Sequence, residues 1–254
     1  SGQAKSHNLI ANAYIETGQW READYHYRQA RAIFEQIGDV YNGAFSDNNL
    51  GEIALYQGRL DEALTFYRQA LRALEQIGGS TYVLGVLHMN LGHVFVRRGE
   101  IDKAFQELLT AQEHFEQAQA RDFLPELHRH YAEAYLAVGD LEDAESQARR
   151  ALDLSQELEQ RSEEGYGLRV LGRILNAQGH SADAETYLKR SLDILDDMGD
   201  NYQKAQTQLS LAQLYAQHNN FLDAQAALAA CMPVFEGLGA AMDLDAARAL
   251  LALL

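Results

Sequence analysis

The feature that most restricts what this chain can fold into is a set of small residues that returns at a fixed interval. Glycine occupies positions 18, 58, 99, 139 and 179 and asparagine takes the next place at 219, a step of 40 or 41 residues throughout. Five residues after each lies an alanine: Ala23, Ala63, Ala104, Ala144, Ala184 and Ala224. Seven further on comes another small side chain: Ala30, Ala70, Ala111, Ala151, Ser191 and Cys231. A third small column, Ala11, Gly51, Gly92, Ala132, Gly172 and Ala212, precedes each turn by seven residues. Such registration identifies an internal repeat whose single unit cannot bury its apolar face alone, so the units must stack.

Each unit reads as two helices joined by a tight turn. In "LGEIALYQGRLDEA", Leu50 to Ala63, the pattern predicts helix A from about Tyr41 to Gln57 and helix B from about Leu60 to Ile77. Gly58 falls where helix A must stop and reverse, a left-handed position that costs most other residues about 1–2 kcal/mol. Asn219 fits the same place, since asparagine tolerates that conformation next best. Gly51 needs another cause, because inside a helix glycine is about 0.5–1 kcal/mol worse than alanine. Close approach of helices A and B at Gly51, Ala63 and Ala70 supplies it. Trp20 shares a column with Leu60, Ile101, Leu141 and Phe221 and is expected in the core. Pro233 lies inside the last helix B and is expected to kink it.

Composition narrows the functional classes. A net charge of −16 disfavours nucleic acid and anionic membrane as partners. The sequence has no long uncharged apolar run and no signal-peptide pattern, and its one cysteine, Cys231, suits a reducing, cytoplasmic setting. Enzyme motifs are absent: there is no glycine-rich phosphate loop, no HExxH and no G-x-S-x-G. No cofactor is implied. His88 and His128 share a column and His93 and His130 lie near them, but no cysteine or carboxylate completes a ligand set at metal-binding spacing. Interhelical packing explains such histidines better.

The columns resemble the tetratricopeptide repeat: a small residue in helix A, an aromatic three on, glycine at the turn, then two small residues seven apart in helix B. "MNLGHVFVRRGEIDKAFQELLTAQEHF", Met89 to Phe115, is similar to that motif almost column for column. The long period is similar to that of LGN/Pins-type scaffolds, kinesin light chains and MalT-like sensor arrays. This resemblance implies an all-α, right-handed α-solenoid of antiparallel helix pairs. Over residues 3–254 a single array is expected, with repeats at about 4–39, 40–79, 80–120, 121–160, 161–200 and 201–239 and a partial seventh at 240–254. The apolar C-terminal stretch reads as an uncapped end, consistent with a segment of a larger protein and with self-association through the last helix.

The resemblance also implies a peptide-binding concave face lined by the A helices. Its stripe begins with Lys5, Asn8, Asn12, Phe45, Asn48 and Glu52, and passes through Met89 and His93 with Arg97 one turn beyond. It continues through Glu126, Arg129, Glu133, Tyr166, Arg169 and Arg173, then fades to Gln206, Leu209 and Gln213. Asparagine amides match the backbone of an extended peptide. Arg129, Arg169 and Arg173 offer planar forks for carboxylate or phosphate, which suggests an acidic partner segment. The competing reading is that Glu126 and Glu133 neutralise these arginines within the array. The function expected is therefore a non-enzymatic protein- or peptide-binding scaffold. The alternative is the regulatory sensor array of a MalT-like signalling protein, binding a small molecule or a neighbouring domain. A catalytic accessory role would need a side chain poised to activate water, and the sequence offers none.

Overall fold

The computed structural model describes residues 2–254, all built from helices and their connecting turns. By packing, the chain divides into two compact units, one ending at Arg121 and the other spanning Asp122–Leu254. The first holds three helix pairs: α1 (Gly2–Glu16) with α2 (Trp20–Gln36), α3 (Val40–Tyr56) with α4 (Leu60–Gln76), and α5 (Thr81–Arg98) with α6 (Ile101–Ala118). In the second, α7 (Leu124–Val138) pairs with α8 (Leu141–Glu157), α9 (Arg161–Ala177) with α10 (Ser181–Met198), and α11 (Asn201–Gln217) with α12 (Phe221–Leu238). The last helix, α13 (Ala241–Leu251), packs on α12.

The turns explain the punctuation. Gly58 takes φ +78° and Asn219 φ +57°, so the residue after each A helix is left-handed, as the repeat requires. The chain also reverses this way after each B helix, at Gly38, Gly78, Gln119, Glu159, Gly199 and Gly239, so a left-handed residue recurs every 20 or 21 positions from 18 to 239. The second series escapes a glycine search because Gln119 (φ 53°) and Glu159 (φ 55°) interrupt it.

The interior columns are buried. Ala23, Ala63, Ala104, Ala144, Ala184 and Ala224 are fully enclosed, and Trp20 is core. A Cβ on Gly51 would lie 2.7 Å from Cε1 of Tyr67, one on Gly92 2.8 Å from Cδ2 of Leu108, and one on Gly172 2.7 Å from Cγ of Leu188. The close approach is thus made by a large helix B side chain lying between the two small columns, rather than by the small residues themselves. Where Ser191 replaces alanine, its hydroxyl donates to the carbonyl of Gly165 at 2.8 Å, which satisfies a group that burial would otherwise penalise.

One expectation is corrected. Phe221, in the column of Trp20, is 43% exposed, because α12 has only α13 beyond it. The most apolar helix, Phe221–Leu238, reaches the length and composition of a membrane span, but it carries Asp223 and Glu236, so the expectation of no long uncharged apolar run is not overturned. In the fold it places Ala224, Leu228, Cys231 and Phe235 in the core and continues unbroken through Pro233.

Candidate interaction face

In the second unit, α7 lies against α9 and α9 against α11 with closer backbone approach than the B helices make to one another. The A helices therefore form the tighter side, and their side chains are the ones brought together. A shared register builds the contacts: Arg129 meets Glu163, Tyr166 meets Asp200 and Arg169 meets Gln203, each 34 residues apart.

At the α7–α9 contact this register assembles a buried ionic cluster. Arg129, 6% exposed, donates from Nε to Glu163 at 3.0 Å and from Nη2 to Glu126 at 3.2 Å, with Glu133 at 3.9 Å. His130, fully buried, lies 3.1 Å from Glu133 and 3.4 Å from Glu126. Burial opposes the charge on Arg129, but Glu163, Glu126 and Glu133 outweigh it and hold the guanidinium protonated. Burial likewise opposes ionisation of Glu126, yet the His130 hydrogen bond and Arg129 keep its carboxyl below the usual range. Glu163 goes the other way, because burial dominates and raises it. Such a cluster fixes the register of neighbouring repeats, since removing one partner leaves a buried charge behind.

One repeat on, the Arg169 guanidinium lies over Tyr166 with its carbon 5.8 Å from the ring centroid and donates from Nη1 to the carbonyl of Gln203 at 3.1 Å. Tyr166 in turn donates to Asp200 at 2.7 Å, and Tyr202 to Asp243 at 2.9 Å. Arg173 is the accessible member of this group: its side chain is 40% exposed and 3.6 Å from Glu133. Beside it opens a cleft of about 170 Å³, lined by Arg173, Asn176, Ser210, Gln213 and Gln217 over Leu136 and Leu188.

In the first unit the stripe is largely amide. Asn8 accepts from Ser46 at 3.3 Å, Asn12 accepts from Tyr27 at 2.5 Å, and Asn48 accepts from Asn90 at 2.9 Å. Part of the amide capacity is therefore spent inside the fold. Lys5, Phe45 and Glu52 are exposed, while His93 and Arg97 are half-buried.

The column Asn8, Asn48, Met89, Arg129, Arg169, Leu209 departs most from the expected open stripe. Met89 is fully buried and Arg129, Arg169 and Leu209 are each 6% exposed. Met89 is thus corrected from a face residue to a core residue, and Arg129 and Arg169 from open forks to buried ones. The cause is visible at Arg129 and Arg169, which reach across to the next A helix rather than outward. The column four residues later, Asn12, Glu52, His93, Glu133, Arg173 and Gln213, keeps more of its surface. For Arg129, the neutralising carboxylates are real; Glu163, the third of them, was missed because it lies off the stripe. The 34-residue register would have found it.

The histidine column serves packing. His7 meets His26 at 2.8 Å, His88 meets Glu107 at 2.7 Å and His128 meets Gln147 at 2.7 Å, each pair linking helix A to its own helix B at an offset of 19.

The tetratricopeptide repeat family matches the sequence over residues 2–76, 44–122 and 123–197. The chain belongs to the tetratricopeptide repeat family. Among curated proteins no sequence match is found. Solved structures share the fold at low identity. A Rap protein complexed with competence and sporulation factor is 14% identical with a TM-score of 0.74, the match covering 99% of this chain and 74% of that one. A signal transduction ATPase from Pyrococcus horikoshii with a tetratricopeptide repeat sensor is 13% identical with a TM-score of 0.64, covering 99% of this chain but 38% of that one. Kinesin light chain repeats from Podosopora anserina are 17% identical with a TM-score of 0.55, covering 77% and 96%. The tetratricopeptide fold is shared with proteins of several roles, so the role of this chain must be argued from its own surface.

Proposed function

We propose that this tetratricopeptide array is a non-catalytic scaffold whose A-helix face binds a peptide segment of a partner protein. The observation that carries the reading is the cleft beside Arg173. Its rim carries the Gln213 side chain beside an Asn176–Gln217 amide pair joined at 2.8 Å and a Ser210 hydroxyl that donates to the Gln206 carbonyl at 3.0 Å, and Leu136 and Leu188 supply an apolar floor. Asn176 Oδ1 is buried without a hydrogen-bond partner, an acceptor that a ligand amide would satisfy. In the first unit, Asn12 and Glu52 present the corresponding exposed positions. The Rap protein of similar fold was solved in complex with competence and sporulation factor, which supports a ligand-binding role for an array of this fold. Burial pushes the Cys231 thiol up to about 11, so it stays protonated and unreactive, in keeping with a reducing cytoplasmic setting.

The test is to pan a displayed random-peptide library against the immobilised chain and measure captured peptides against variants. Arg173→Glu and Gln213→Arg should each weaken binding by about tenfold, about 1.4 kcal/mol. Arg190→Glu, on the exposed surface of α10, should leave it unchanged. Equal losses at all three positions, or no peptide captured above background, would refute the reading.

A further inference from the structure

The histidine column of the A helices carries Asp47 in the second repeat. His7, His88 and His128 each bond a side chain 19 residues on, in their own helix B. For Asp47 that place is Phe66, which offers no polar group. The carboxylate turns instead to the preceding helix B, α2, where Arg31 pairs with it. No other pair of successive repeats sets two charges here. The corresponding residues are Leu71 with His88, Gln112 with His128, Leu152 with Leu168 and Leu192 with Gln208.

An ion pair standing where its neighbours make uncharged contacts adds little stability, because desolvation cancels most of the attraction. This one is also incomplete. Asp47 is 7% exposed, and its Oδ1 is buried without a hydrogen bond although Arg31 Nε lies against it. Arg31 Nη2 donates to Gln69 Oε1 at 3.1 Å, tying α2 to α4 rather than to the carboxylate. Burial raises the Asp47 carboxyl, Arg31 opposes the rise and Glu35 adds to it.

Beside the pair opens a cleft of about 300 Å³, the size of a small-molecule site, between α2, α4 and the start of α3. Asp47 and Arg31 lie on its wall with Glu35, which is exposed. Val40, Ala44 and Ala73 give it an apolar stretch. Asp39 lines it too, but that carboxylate is occupied in capping α3 through the Asn42 backbone N–H and side-chain amide. The acids outnumber the one cation, so the cleft carries an excess of negative charge. Among the described residues these carboxylates do not gather their oxygens closely enough to share one metal ion. An extended cation fits such an arrangement, with its charges apart and an apolar middle.

We propose that this cleft binds an aliphatic diamine, with one ammonium at Asp47, the other at Glu35 and the alkyl chain along Val40, Ala44 and Ala73. The inner ammonium supplies the N–H that Asp47 Oδ1 lacks, and its three donors also suit the mixed acceptors around it. The site lies between two B helices and does not depend on the peptide reading.

The experiment titrates putrescine into the full chain at constant ionic strength and follows the Val40 methyl signals by NMR, assigned by their loss in Val40→Ala. Calorimetry gives the affinities, and butylamine and magnesium chloride are titrated in parallel. Wild type should show a saturable shift, with putrescine bound about tenfold tighter than butylamine. Glu35→Gln should bring putrescine down to the butylamine level and leave butylamine unchanged. Asp47→Asn should abolish the shift for both. Glu142→Gln, on the exposed surface of α8, should change nothing, which separates the site from the general attraction of amines to a chain of charge −16. Three results would each overturn the proposal: no saturable shift in wild type, equal affinity for butylamine, or a loss in Glu142→Gln as large as that in Glu35→Gln. Undiminished putrescine binding by Asp47→Asn does the same, and should that variant fail to fold, Glu35→Gln decides alone. Magnesium moving the same methyl signals with the same affinity overturns the ammonium assignment.

Discussion

Replacing Gly92 by alanine sets two effects of known sign against each other. Alanine improves an internal helix position by about 0.5–1 kcal/mol. The new methyl, however, would lie 2.8 Å from both Cγ and Cδ2 of Leu108 and 3.4 Å from the carbonyl oxygen of Ala104. Leu108 is itself fully buried, so it has no open space to turn into. Overpacking of this kind costs about 1–3 kcal/mol, leaving a net loss of about 1 kcal/mol. For a chain of this size that lowers Tm by about 2–4 °C. The sign should reverse in a Leu108→Ala background, where the obstacle is gone and only the helical gain remains. The fourth repeat already carries this combination, with Ala132 and Ala148 at the corresponding positions, both fully buried. The cycle is measured by urea denaturation followed by circular dichroism, with a coupling of about 2 kcal/mol expected between the sites. Gly237→Ala in α12, where a Cβ meets nothing within 4 Å, serves as the control and should be neutral or slightly stabilising. An identical effect of Gly92→Ala in both backgrounds would refute helix approach as the reason for the glycine. Gly92→Leu should destabilise more strongly still.

Asp47 gives a pH dependence. Burial raises its carboxyl to about 6 against an ordinary 3.8, with Arg31 opposing. The native state therefore holds an extra proton between those values, and stability falls as pH rises through that window. Asp47→Asn should remove this fall, so its Tm advantage over wild type grows from pH about 4 to about 6 and then levels off; parallel Tm profiles would contradict it. Glu159→Gly relieves a left-handed residue at φ 55° and should stabilise by up to about 1 kcal/mol in the same denaturation assay, whereas destabilisation would show an unrecognised role for its side chain. Glu163→Gln should destabilise by about 1–3 kcal/mol, because Arg129 stays buried while losing the counter-charge at its Nε, and an unchanged midpoint would count against the cluster.

The parts of the fold that could be read from the chain are those whose cause is local. Gly58 and Asn219 answer to a backbone conformation that few residues adopt, so their positions alone mark the turns. Helix α3 begins at Val40 and α4 at Leu60, within a residue of where the apolar period and that turn put them. The turns after the B helices were less legible because Gln119 and Glu159 bear the strain without a glycine to announce it. The candidate site was harder for a different reason. Periodicity shows that Arg129 and Arg169 hold the same place on successive A helices, but not that the next A helix covers them. That depends on how one repeat rotates against another, expressed in the 34-residue register of Arg129 with Glu163 and of Arg169 with Gln203. The exposed Arg173 could be read from the stripe, whereas the burial of Arg169 one turn before it emerges only from the packing of α9 against α11.

The most direct test of the account is amide hydrogen exchange on the full chain with and without a peptide captured from the displayed library. Binding on the A-helix face predicts protection concentrated in α9 and α11, around Arg173, Asn176 and Gln213, with α8 and α10 unaffected on their outer surfaces. Protection confined to α8, α10 or α12 would place the ligand on the opposite side and contradict the account.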